Sequence, residues 1–404
     1  MPAERARRGT ASEIAAALRE SRRDTLATFA AYEHALPGLR VPRLEALNPP
    51  LWELGHIGWF QEFWLARNPE RALGSRANPE VPRTPGPRAN AEDLYHSSLV
   101  AHDSRWSLPL PDAATTRAEL AAQLERTLAM LDGIGTAEPG IDDTLYFFRL
   151  ALLHEDMHHE AALYMAQGLG VPIDDPRWQA GPLPDPPPAL AVAAGQWQLG
   201  SGGACGFAFD NELAGHNVAV PDISIDAQAV RWAEYLPFVA DGGYGDDRWW
   251  SEAGLQWRHQ AGTALPRYLG RDGGGLWRQW RHGAWRPLDL REAASHLTFF
   301  EAEAWCRWAG RRLPTEAEWE RCACTAGPSF RWGDVWEWTA SPFAPYPGFR
   351  PHPYRDYSQP WFDGRPVLRG ASFMTQTRMR HPRYRNYFQP YRNDVPAGFR
   401  SCAA

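Results

Sequence analysis

Two histidines one helical turn apart are the first residues of this sequence that could do chemistry. The run Leu153-His154-Glu155-Asp156-Met157-His158 places His154 and His158 at an i, i+4 spacing, which puts both imidazoles on one face of a helix. Apolar residues surround the pair, so the helix is predicted to be buried on much of its circumference, where polar groups need partners. The spacing therefore indicates two ligands of one metal ion rather than two surface histidines.

The same run also matches the His-Glu-x-x-His pattern of zinc proteases, in which Glu155 would act as the general base. The extended form of that motif has glycine three residues after the second histidine and histidine six residues after it. This sequence has Ala161 and Tyr164 at those positions. A zinc hydrolase therefore stays as an alternative from another class of enzyme.

A third ligand is suggested by His56, which lies among aromatic residues in the middle of a second helical stretch. Three imidazoles from two helices of one bundle would leave coordination positions open, which is typical of a catalytic metal centre. The residue types alone do not decide whether the third ligand is His56 or a carboxylate such as Glu160 or Glu62.

A segment near the carboxyl terminus combines aromatic side chains with an amide, in the order Tyr384-Arg385-Asn386-Tyr387-Phe388-Gln389-Pro390. Aromatic faces attract quaternary ammonium groups, so this segment could bind a cationic substrate. The tryptophans and Arg-Glu pairs of residues 308–320, 335–339 and 367–373 are instead expected to be structural, because such pairs can hold together a domain with little regular structure.

The elements that must position these residues are helices in the first half of the chain. Apolar residues recur at helical spacing in four stretches, namely Ile14–Tyr32, Leu51–Ala66, Arg117–Ile134 and Thr144–Gly168. Four such helices predict a bundle. The long proline-containing connection from Asn68 to Asp112 indicates a crossover rather than a tight hairpin.

The second half of the chain differs in kind, since fifteen of the twenty tryptophans follow residue 190. A proline-rich linker over Pro172–Pro188 separates the halves, which predicts domains at 1–188 and 189–404. Short strands are predicted at Gln196–Leu199, Val218–Val220 and Val367–Arg369. Only two or three helices are evident, two of them starting at Thr298 and Thr315, where a glutamate three residues on gives a capping-box spacing. The chain is thus predicted to be α+β.

Composition excludes several classes of partner. The 404 residues carry a formal net charge of −6, with a pI near 6.1, and so provide no basic field for nucleic acid or anionic lipid. We find neither a signal peptide nor a stretch of roughly 20 apolar residues that could span a membrane. Five sparse cysteines are expected to be reduced, structural or incidental residues, Cys205, Cys306, Cys322, Cys324 and Cys402. A cytoplasmic protein is predicted.

Five ordered motifs together resemble one known family, the ergothioneine-type sulfoxide synthases. The motifs are Gly55-His56 with Trp59-Phe60, the His154 and His158 pair, the run from Arg312 to Glu320, Val335-Trp336-Glu337-Trp338-Thr339, and Arg385-Asn386 before Gly398-Phe399-Arg400. Members join a DinB-like four-helix bundle to a domain resembling formylglycine-generating enzyme, which has a C-type-lectin-like fold. The resemblance covers nearly the whole chain.

This resemblance implies an Fe(II)- and O2-dependent enzyme that acts on hercynine, the trimethylated histidine. It places the iron ligands at His56, His154 and His158. It places hercynine contacts at Asn386 and Tyr387, and Tyr354 with Tyr357 has the spacing of the Tyr-x-x-Tyr pair from which the family takes its proton donor.

Departures from the family pattern concern the donor of sulfur or selenium. Members that use γ-glutamylcysteine have an aspartate where this chain has Phe388, and they carry two arginines in the crossover, where the stretch from Leu94 to Trp106 of this chain has one, Arg105. Phe388 and Arg105 are therefore expected to contact a substrate. Met157 stands where some members have a glutamine. A dicarboxylate thiol would therefore lose its clamps.

Two further segments are similar to the selenoneine synthases, a branch that couples hercynine to a selenosugar. They are the run from Asn48 to His56 and Tyr391-Arg392-Asn393-Asp394. An uncharged sugar needs hydroxyl partners, which the crossover could supply from Tyr95, His96, Ser97, Ser98 and Asp103. Joining cysteine or γ-glutamylcysteine to hercynine remains the alternative reaction within the family.

Overall fold

A computed structural model of the chain describes residues 2–134, 143–202 and 206–404. Within these ranges a helical bundle is followed by an irregular domain of short strands and helices, so the chain is α+β as predicted. Cys205 lies outside the described residues, whereas the other four cysteines are free thiols and three of them are buried. None of the described helices is both long enough and apolar enough to pass through a membrane.

The amino-terminal bundle contains the four long helices expected from the apolar spacing. Its helices are α1 (Pro2–Arg8), α2 (Ala11–Ala35), α3 (Pro50–Trp64), α4 (Ala91–Tyr95), α5 (Ala113–Asp132) and α6 (Tyr146–Leu169). Helix α2 packs against α5 and α6, and α3 packs against the same two helices. The crossover between α3 and α5 contains only the short α4 and single turns, as its prolines predict.

Local sequence signals explain where the bundle helices begin and end. Thr10 caps α2 by accepting the backbone N–H of Glu13, whose side chain in turn accepts from the backbone of Thr10. Asp112 caps α5 in the same way by accepting from Thr115. Helix α6 ends at Leu169 and is capped by Gly170, which adopts the left-handed conformation that favours glycine.

The carboxy-terminal domain is built from four small sheets and four helices among the described residues. Its strands are β1 (Leu190–Val192), β2 (Gly195–Leu199), β3 (His216–Val220), β4 (Ile223–Ile225), β5 (Leu269–Arg271), β6 (Trp277–Arg281), β7 (Ala284–Pro287), β8 (Arg311–Arg312), β9 (Trp336–Pro342), β10 (Pro366–Gly370), β11 (Asn386–Tyr387), β12 (Ala397–Gly398) and β13 (Cys402–Ala403). Its helices are α7 (Trp232–Ala240), α8 (Glu252–Ala261), α9 (Phe299–Trp308) and α10 (Glu316–Thr325).

One sheet, in the order β11-β10-β9-β12, faces the bundle and carries residues of the site described below. Strand β10 runs antiparallel to both β9 and β11, and its register pairs Leu368 with Trp338 on one side and with Asn386 on the other. The remaining sheets have the orders β1-β4-β13-β8, β2-β3 and β5-β6-β7.

Helices α9 and α10 begin at the two predicted capping boxes. Thr298 accepts from the backbone of Glu301 and Thr315 from that of Glu318, and both glutamates bond back to their caps. The sequence did not indicate α7, because Pro237 lies inside it, nor α8 and the sheet formed by β5, β6 and β7.

Buried Arg-Glu pairs hold this domain together, as the sequence predicted. The Arg385 guanidinium donates to Glu316 at 3.0 and 3.1 Å, and fully buried Arg400 binds Glu337. These pairs are surrounded by buried tryptophans such as Trp319, which donates to Glu337 at 2.8 Å. Each buried guanidinium thus has a carboxylate partner. Without such a partner, removal of its charge from water would be strongly unfavourable.

The two halves of the chain meet along α6. Asp156 of α6 accepts two hydrogen bonds from Arg378 at 2.6 and 2.7 Å, and both residues are buried. Four residues further on, Glu160 accepts from Trp336 of β9 at 2.7 Å. The last bundle helix ends at Leu169 and the first strand begins at Leu190; the boundary at residue 188 itself stays a prediction.

Candidate metal centre

Three imidazoles converge where α3 meets α6. The ring centre of His56 lies 5.1 Å from that of His154 and 4.8 Å from that of His158, and the two α6 rings lie 4.4 Å apart. Their nearest ligand nitrogens all lie within 4.8 Å of one another, and this is the one such group found among the described residues. Small ring rotations would bring the nitrogens to the separation of about 3 Å that bonds of about 2.1 Å to a single ion require.

Hydrogen bonds to the outer ring nitrogens fix two of the imidazoles. Nδ1 of His56 lies 2.8 Å from the backbone oxygen of Tyr95, and Nδ1 of His158 lies 2.5 Å from Oε2 of Glu53. Since these acceptors hold the proton on Nδ1, Nε2 of each ring keeps its lone pair for a metal ion.

The third imidazole has an unsatisfied nitrogen. Nε2 of His154 is buried and has no hydrogen-bond partner among the residues that the structure describes, which is a costly arrangement unless another group binds it. Burial, together with the nearby imidazoles, lowers the pKa of His154 well below its usual value and that of His56 to about 3. Both rings are therefore neutral at neutral pH, and neutral imidazole is the form that binds metal. The donor set thus fits a divalent transition-metal ion with open positions.

Aromatic packing restrains the same rings. The Trp52 ring stacks on His56 with centroids 4.8 Å apart and planes 10° from parallel. Phe60 stacks on His154 at 3.5 Å and 4°. Because the helix α3 supplies both aromatic residues, the sequence spacing that builds α3 also sets the orientation of the imidazoles.

The carboxylates considered as ligands have other partners. Glu62 accepts from Arg126 at 2.8 Å, and Glu155 accepts from Arg22 at 2.8 and 3.1 Å. Glu160 is bonded to side chains of the other domain. Neither Glu62 nor Glu160 belongs to the cluster in the described part of the chain, and the pairing of Glu155 with Arg22 does not favour its use as the general base of a zinc protease.

A cavity of about 240 Å³ lies beside the cluster, between α6 and the sheet of β9 to β11. The cavity reaches the cluster of three histidines at His158. The lining residues are Met157, His158, Glu160, Ala161, Tyr164, Trp336, Tyr357, Tyr384, Asn386, Tyr387, Phe388, Val395 and Pro396. The structure therefore brings together five of the predicted substrate and catalytic residues, Met157, Tyr357, Asn386, Tyr387 and Phe388.

Glu160 is the charged group in the wall of this cavity. Its Oε1 accepts three hydrogen bonds, from Trp336 at 2.7 Å, Ser372 at 2.8 Å and Thr375 at 2.7 Å. The structure shows no hydrogen bond to its other oxygen from the residues it describes. Burial raises the pKa of this carboxyl even though the three donors oppose the rise. The sequence suggested Glu160 only as a metal ligand. The signal for its place in the cavity wall is its position two residues after His158, on the helix that faces the sheet.

The two candidate tyrosines differ in what their hydroxyls contact. Tyr354 packs edge-on, with its ring centre 6.0 Å from that of His154, and its hydroxyl has no partner among the residues of the described ranges. The Tyr357 hydroxyl instead donates to Tyr384 at 3.1 Å, and Tyr384 donates to the sulfur of Met157 at 3.4 Å. Burial raises the pKa of Tyr354 and of Tyr357, so both hold their protons at neutral pH.

Two residues predicted to bind substrate do not line the cavity. The Tyr95 ring lies against Gly55 on α3, and its contribution to the site is the backbone oxygen that binds His56. Arg105 donates to Asn48 at 2.8 Å and lies 3.9 Å from the Trp52 ring centre. For these two, the sequence located the right segment, but tertiary contacts direct the side chains behind the ligands.

Other polar groups of the crossover also have protein partners. Ser98 donates to Asp356, and Asp103 forms an ion pair with Arg43 at 2.6 Å. The structure thus gives the crossover a role in contacts between loops.

Known proteins resemble this chain over both halves. Residues 17–163 match the family model of the DinB superfamily, and residues 179–334 match the Sulfatase-modifying factor enzyme 1-like domain. The hercynine oxygenase of Mycolicibacterium smegmatis is 33% identical, over 88% of this chain and 90% of that protein. The hercynine oxygenase of Mycobacterium tuberculosis is 34% identical over the same shares.

A formylglycine-generating enzyme is similar to a smaller part of the chain. The formylglycine-generating enzyme of Streptomyces coelicolor is 31% identical over 36% of this chain and 50% of that protein. The two hercynine oxygenases match 88% of this chain, which includes residues of both domains. This chain therefore belongs to the ergothioneine-type sulfoxide synthase family, which includes the hercynine oxygenases.

Proposed function

We propose that this protein is an Fe(II)- and O2-dependent enzyme that attaches a chalcogen to the imidazole ring of hercynine, with a selenosugar as the chalcogen donor. The observation that carries the proposal is the position of three imidazoles, with Nε2 of each available, at one end of a cavity walled by a carboxylate and aromatic rings. The names of the full-length relatives support hercynine as the substrate.

His56, His154 and His158 would hold the iron. Three imidazole ligands leave about half of an octahedral ion's positions open, and bound iron would there supply the one-electron chemistry that O2 needs in order to react. The chain's own contribution is to keep His56 and His154 neutral through burial, and to orient His56 and His158 through the acceptors on their outer nitrogens.

The cavity wall fits a zwitterion with a quaternary ammonium group. Aromatic faces of Trp336, Tyr384 and Phe388 can surround the methyl groups, and the free oxygen of Glu160 can face their positive charge. Asn386 provides an amide for the substrate carboxylate. These contacts would leave the imidazole ring of hercynine directed toward His158 and the metal.

Tyr354 is the proposed proton donor. Its hydroxyl keeps its proton and has no competing acceptor in the described protein, whereas the Tyr357 proton is engaged by Tyr384. A donor within reach of the reacting atoms can deliver a proton as oxygen is reduced.

The reaction balances with O2 as the sole oxidant. Hercynine loses a ring C–H hydrogen, the selenol or thiol loses its hydrogen, and a carbon–chalcogen bond forms. One oxygen atom is added to the chalcogen and the other leaves as water with the two hydrogens. The four electrons that O2 accepts come from formation of that bond and from oxidation of the chalcogen.

Selenosugar is favoured as donor by two positions at which members that use γ-glutamylcysteine have charged clamps. Phe388 lines the cavity where an acid would be needed, and Arg105 is engaged by Asn48 and Trp52. A dicarboxylate thiol would therefore find no free arginine at either place, whereas an uncharged sugar does not need one. Cysteine is the competing donor, since a small thiol needs fewer contacts.

The test is reconstitution of the protein with Fe(II) under anaerobic conditions, followed by hercynine and one donor in air. The donors are a selenosugar, cysteine and γ-glutamylcysteine, with products identified by mass spectrometry. We expect the carbon–selenium product to dominate, and we expect no product without O2.

Product from cysteine or γ-glutamylcysteine alone would overturn the selenium assignment and preserve hercynine as substrate. Hydrolytic activity that persists without O2 and prefers zinc would support a hydrolase instead. The absence of turnover with all donors would leave a metal-binding module as the function.

A further inference from the structure

A chain of hydrogen bonds leads from the crossover to one of the metal-binding imidazoles. Arg105 donates to the side-chain oxygen of Asn48 at 2.8 Å, and the amide nitrogen of Asn48 donates to Oε1 of Glu53 at 2.6 Å. The other oxygen of Glu53 lies 2.5 Å from Nδ1 of His158. Four side chains from three separate segments thus form one continuous path.

The same arginine also reaches the second imidazole through an aromatic ring. The Arg105 guanidinium lies 3.9 Å from the Trp52 ring centre, and Trp52 is stacked on His56 at 4.8 Å. One side chain, that of Trp52, therefore lies between Arg105 and His56. Two side chains, those of Asn48 and Glu53, lie between Arg105 and His158. Its nitrogens also reach the crossover backbone at Ser97, at 3.4 Å, so the path is anchored to that segment.

The burial of Glu53 shows that this path is not a surface ion pair. Glu53 is 6% exposed, and its two oxygens are bonded to Asn48 and His158. A buried carboxylate with both oxygens bonded in fixed directions has little freedom to rotate.

We infer that Glu53 and Asn48 are positioning residues for the metal, and that together with Arg105 they tie the conformation of the crossover to the orientation of His158. The carboxylate fixes Nδ1 as the protonated nitrogen, aims Nε2 at the ion and increases electron donation by the ring. Asn48 fixes the carboxylate, and Arg105 fixes Asn48. This inference rests on the proposed function only in taking iron as the resident ion.

The first experiment measures Fe(II) affinity of the full-length protein, without hercynine or donor. Glu53→Gln keeps the size of the side chain but removes its charge and leaves an amide group facing the imidazole. Removal of such outer partners commonly lowers metal affinity by about 10- to 100-fold, and we expect a loss in that range. Affinity is measured anaerobically by competition with a chromophoric chelator.

Glu62→Gln is the matched control. It makes the same chemical change on the same helix, and Glu62 is bonded to Arg126 rather than to a ligand. We expect its Fe(II) affinity to stay within about twofold of wild type. The melting temperature of each metal-free variant shows whether the fold is intact.

A spectroscopic readout separates positioning from simple stabilisation of the fold. The electron paramagnetic resonance spectrum of the Fe(II)–nitrosyl complex reports ligand geometry, and we expect it to change in Glu53→Gln and not in Glu62→Gln. A lower melting temperature with unchanged Fe(II) affinity and spectrum would overturn the inference, because the Glu53–His158 contact would then be structural only.

Asn48→Ala keeps the inference testable if Glu53→Gln does not fold. It leaves the carboxylate in place and removes the link to Arg105, so we expect a smaller loss of Fe(II) affinity, about three- to tenfold. Affinity within twofold of wild type would overturn the proposed path. Because Fe(II) alone is the probe, failure of hercynine turnover in wild type would refute the proposed function and leave this result standing.

Discussion

Glu160→Gln provides a sharp test of how the cavity would recognise hercynine. Glutamine has nearly the same shape and can keep an oxygen where Trp336, Ser372 and Thr375 donate. The variant therefore removes a negative charge from the cavity wall with little change in packing.

The expected magnitude follows from the burial of this carboxylate, which is 8% exposed. A trimethylammonium group in contact with it would place the two charges about 5 Å apart, worth about 3 kcal/mol at an effective dielectric constant of about 20. The cavity opens to solvent, which screens part of this energy. We therefore expect a loss of about 1–2 kcal/mol, or about 5- to 30-fold in the Kd of hercynine.

The assay compares two ligands on the anaerobic Fe(II) protein by calorimetry. Hercynine carries the quaternary ammonium group, and imidazole propionate has the same ring and carboxylate without it. Wild type should prefer hercynine, and Glu160→Gln should lose most of that preference while binding imidazole propionate about as well. An equal preference in both proteins would refute the role assigned to Glu160.

Four further variants test the proton donor, the packing around the ligands and a buried histidine. Tyr354→Phe should lower kcat by about a hundredfold or more with little change in the Kd of hercynine, measured by single-turnover kinetics and calorimetry. Gly55→Ala should weaken Fe(II) binding and cost about 1–3 kcal/mol in unfolding free energy, because its Cβ would lie 2.3 Å from Tyr95; Gly58→Ala, with 3.0 Å to a flexible leucine, should cost less. His296→Asn should flatten the pH dependence of urea unfolding: burial lowers the pKa of His296 to about 3, so the wild type loses up to about 2 kcal/mol relative to the variant as the pH falls from about 6.5 to 5. A difference between these two proteins that does not change with pH would contradict that assignment.

The bundle and its histidines were predictable because their signals are local. The apolar period of 3.6 residues located all four long helices, and the i, i+4 spacing placed His154 and His158 together. Capping boxes located α9 and α10 for the same reason. Helix α7 was not predicted, because it contains Pro237 and proline is rare in the interior of helices.

The surroundings of the ligands were not predictable, because they depend on contacts between distant segments. Glu53 is three residues before His56, yet it binds His158, which is 105 residues away. Arg105 was expected to face a substrate, and only the fold shows that Asn48 and Trp52 engage it. Sequence periodicity predicts which face of a helix is buried, but it does not predict which buried polar groups bind each other.

The most direct test of the central claim is an anomalous difference map collected at the iron absorption edge from anaerobic crystals soaked with Fe(II) and hercynine. We predict one iron peak per chain, bounded by Nε2 of His56, His154 and His158, with hercynine in the adjoining cavity and its ammonium group beside Glu160. Iron at another position, or no iron between these three nitrogens while hercynine binds elsewhere, would contradict it.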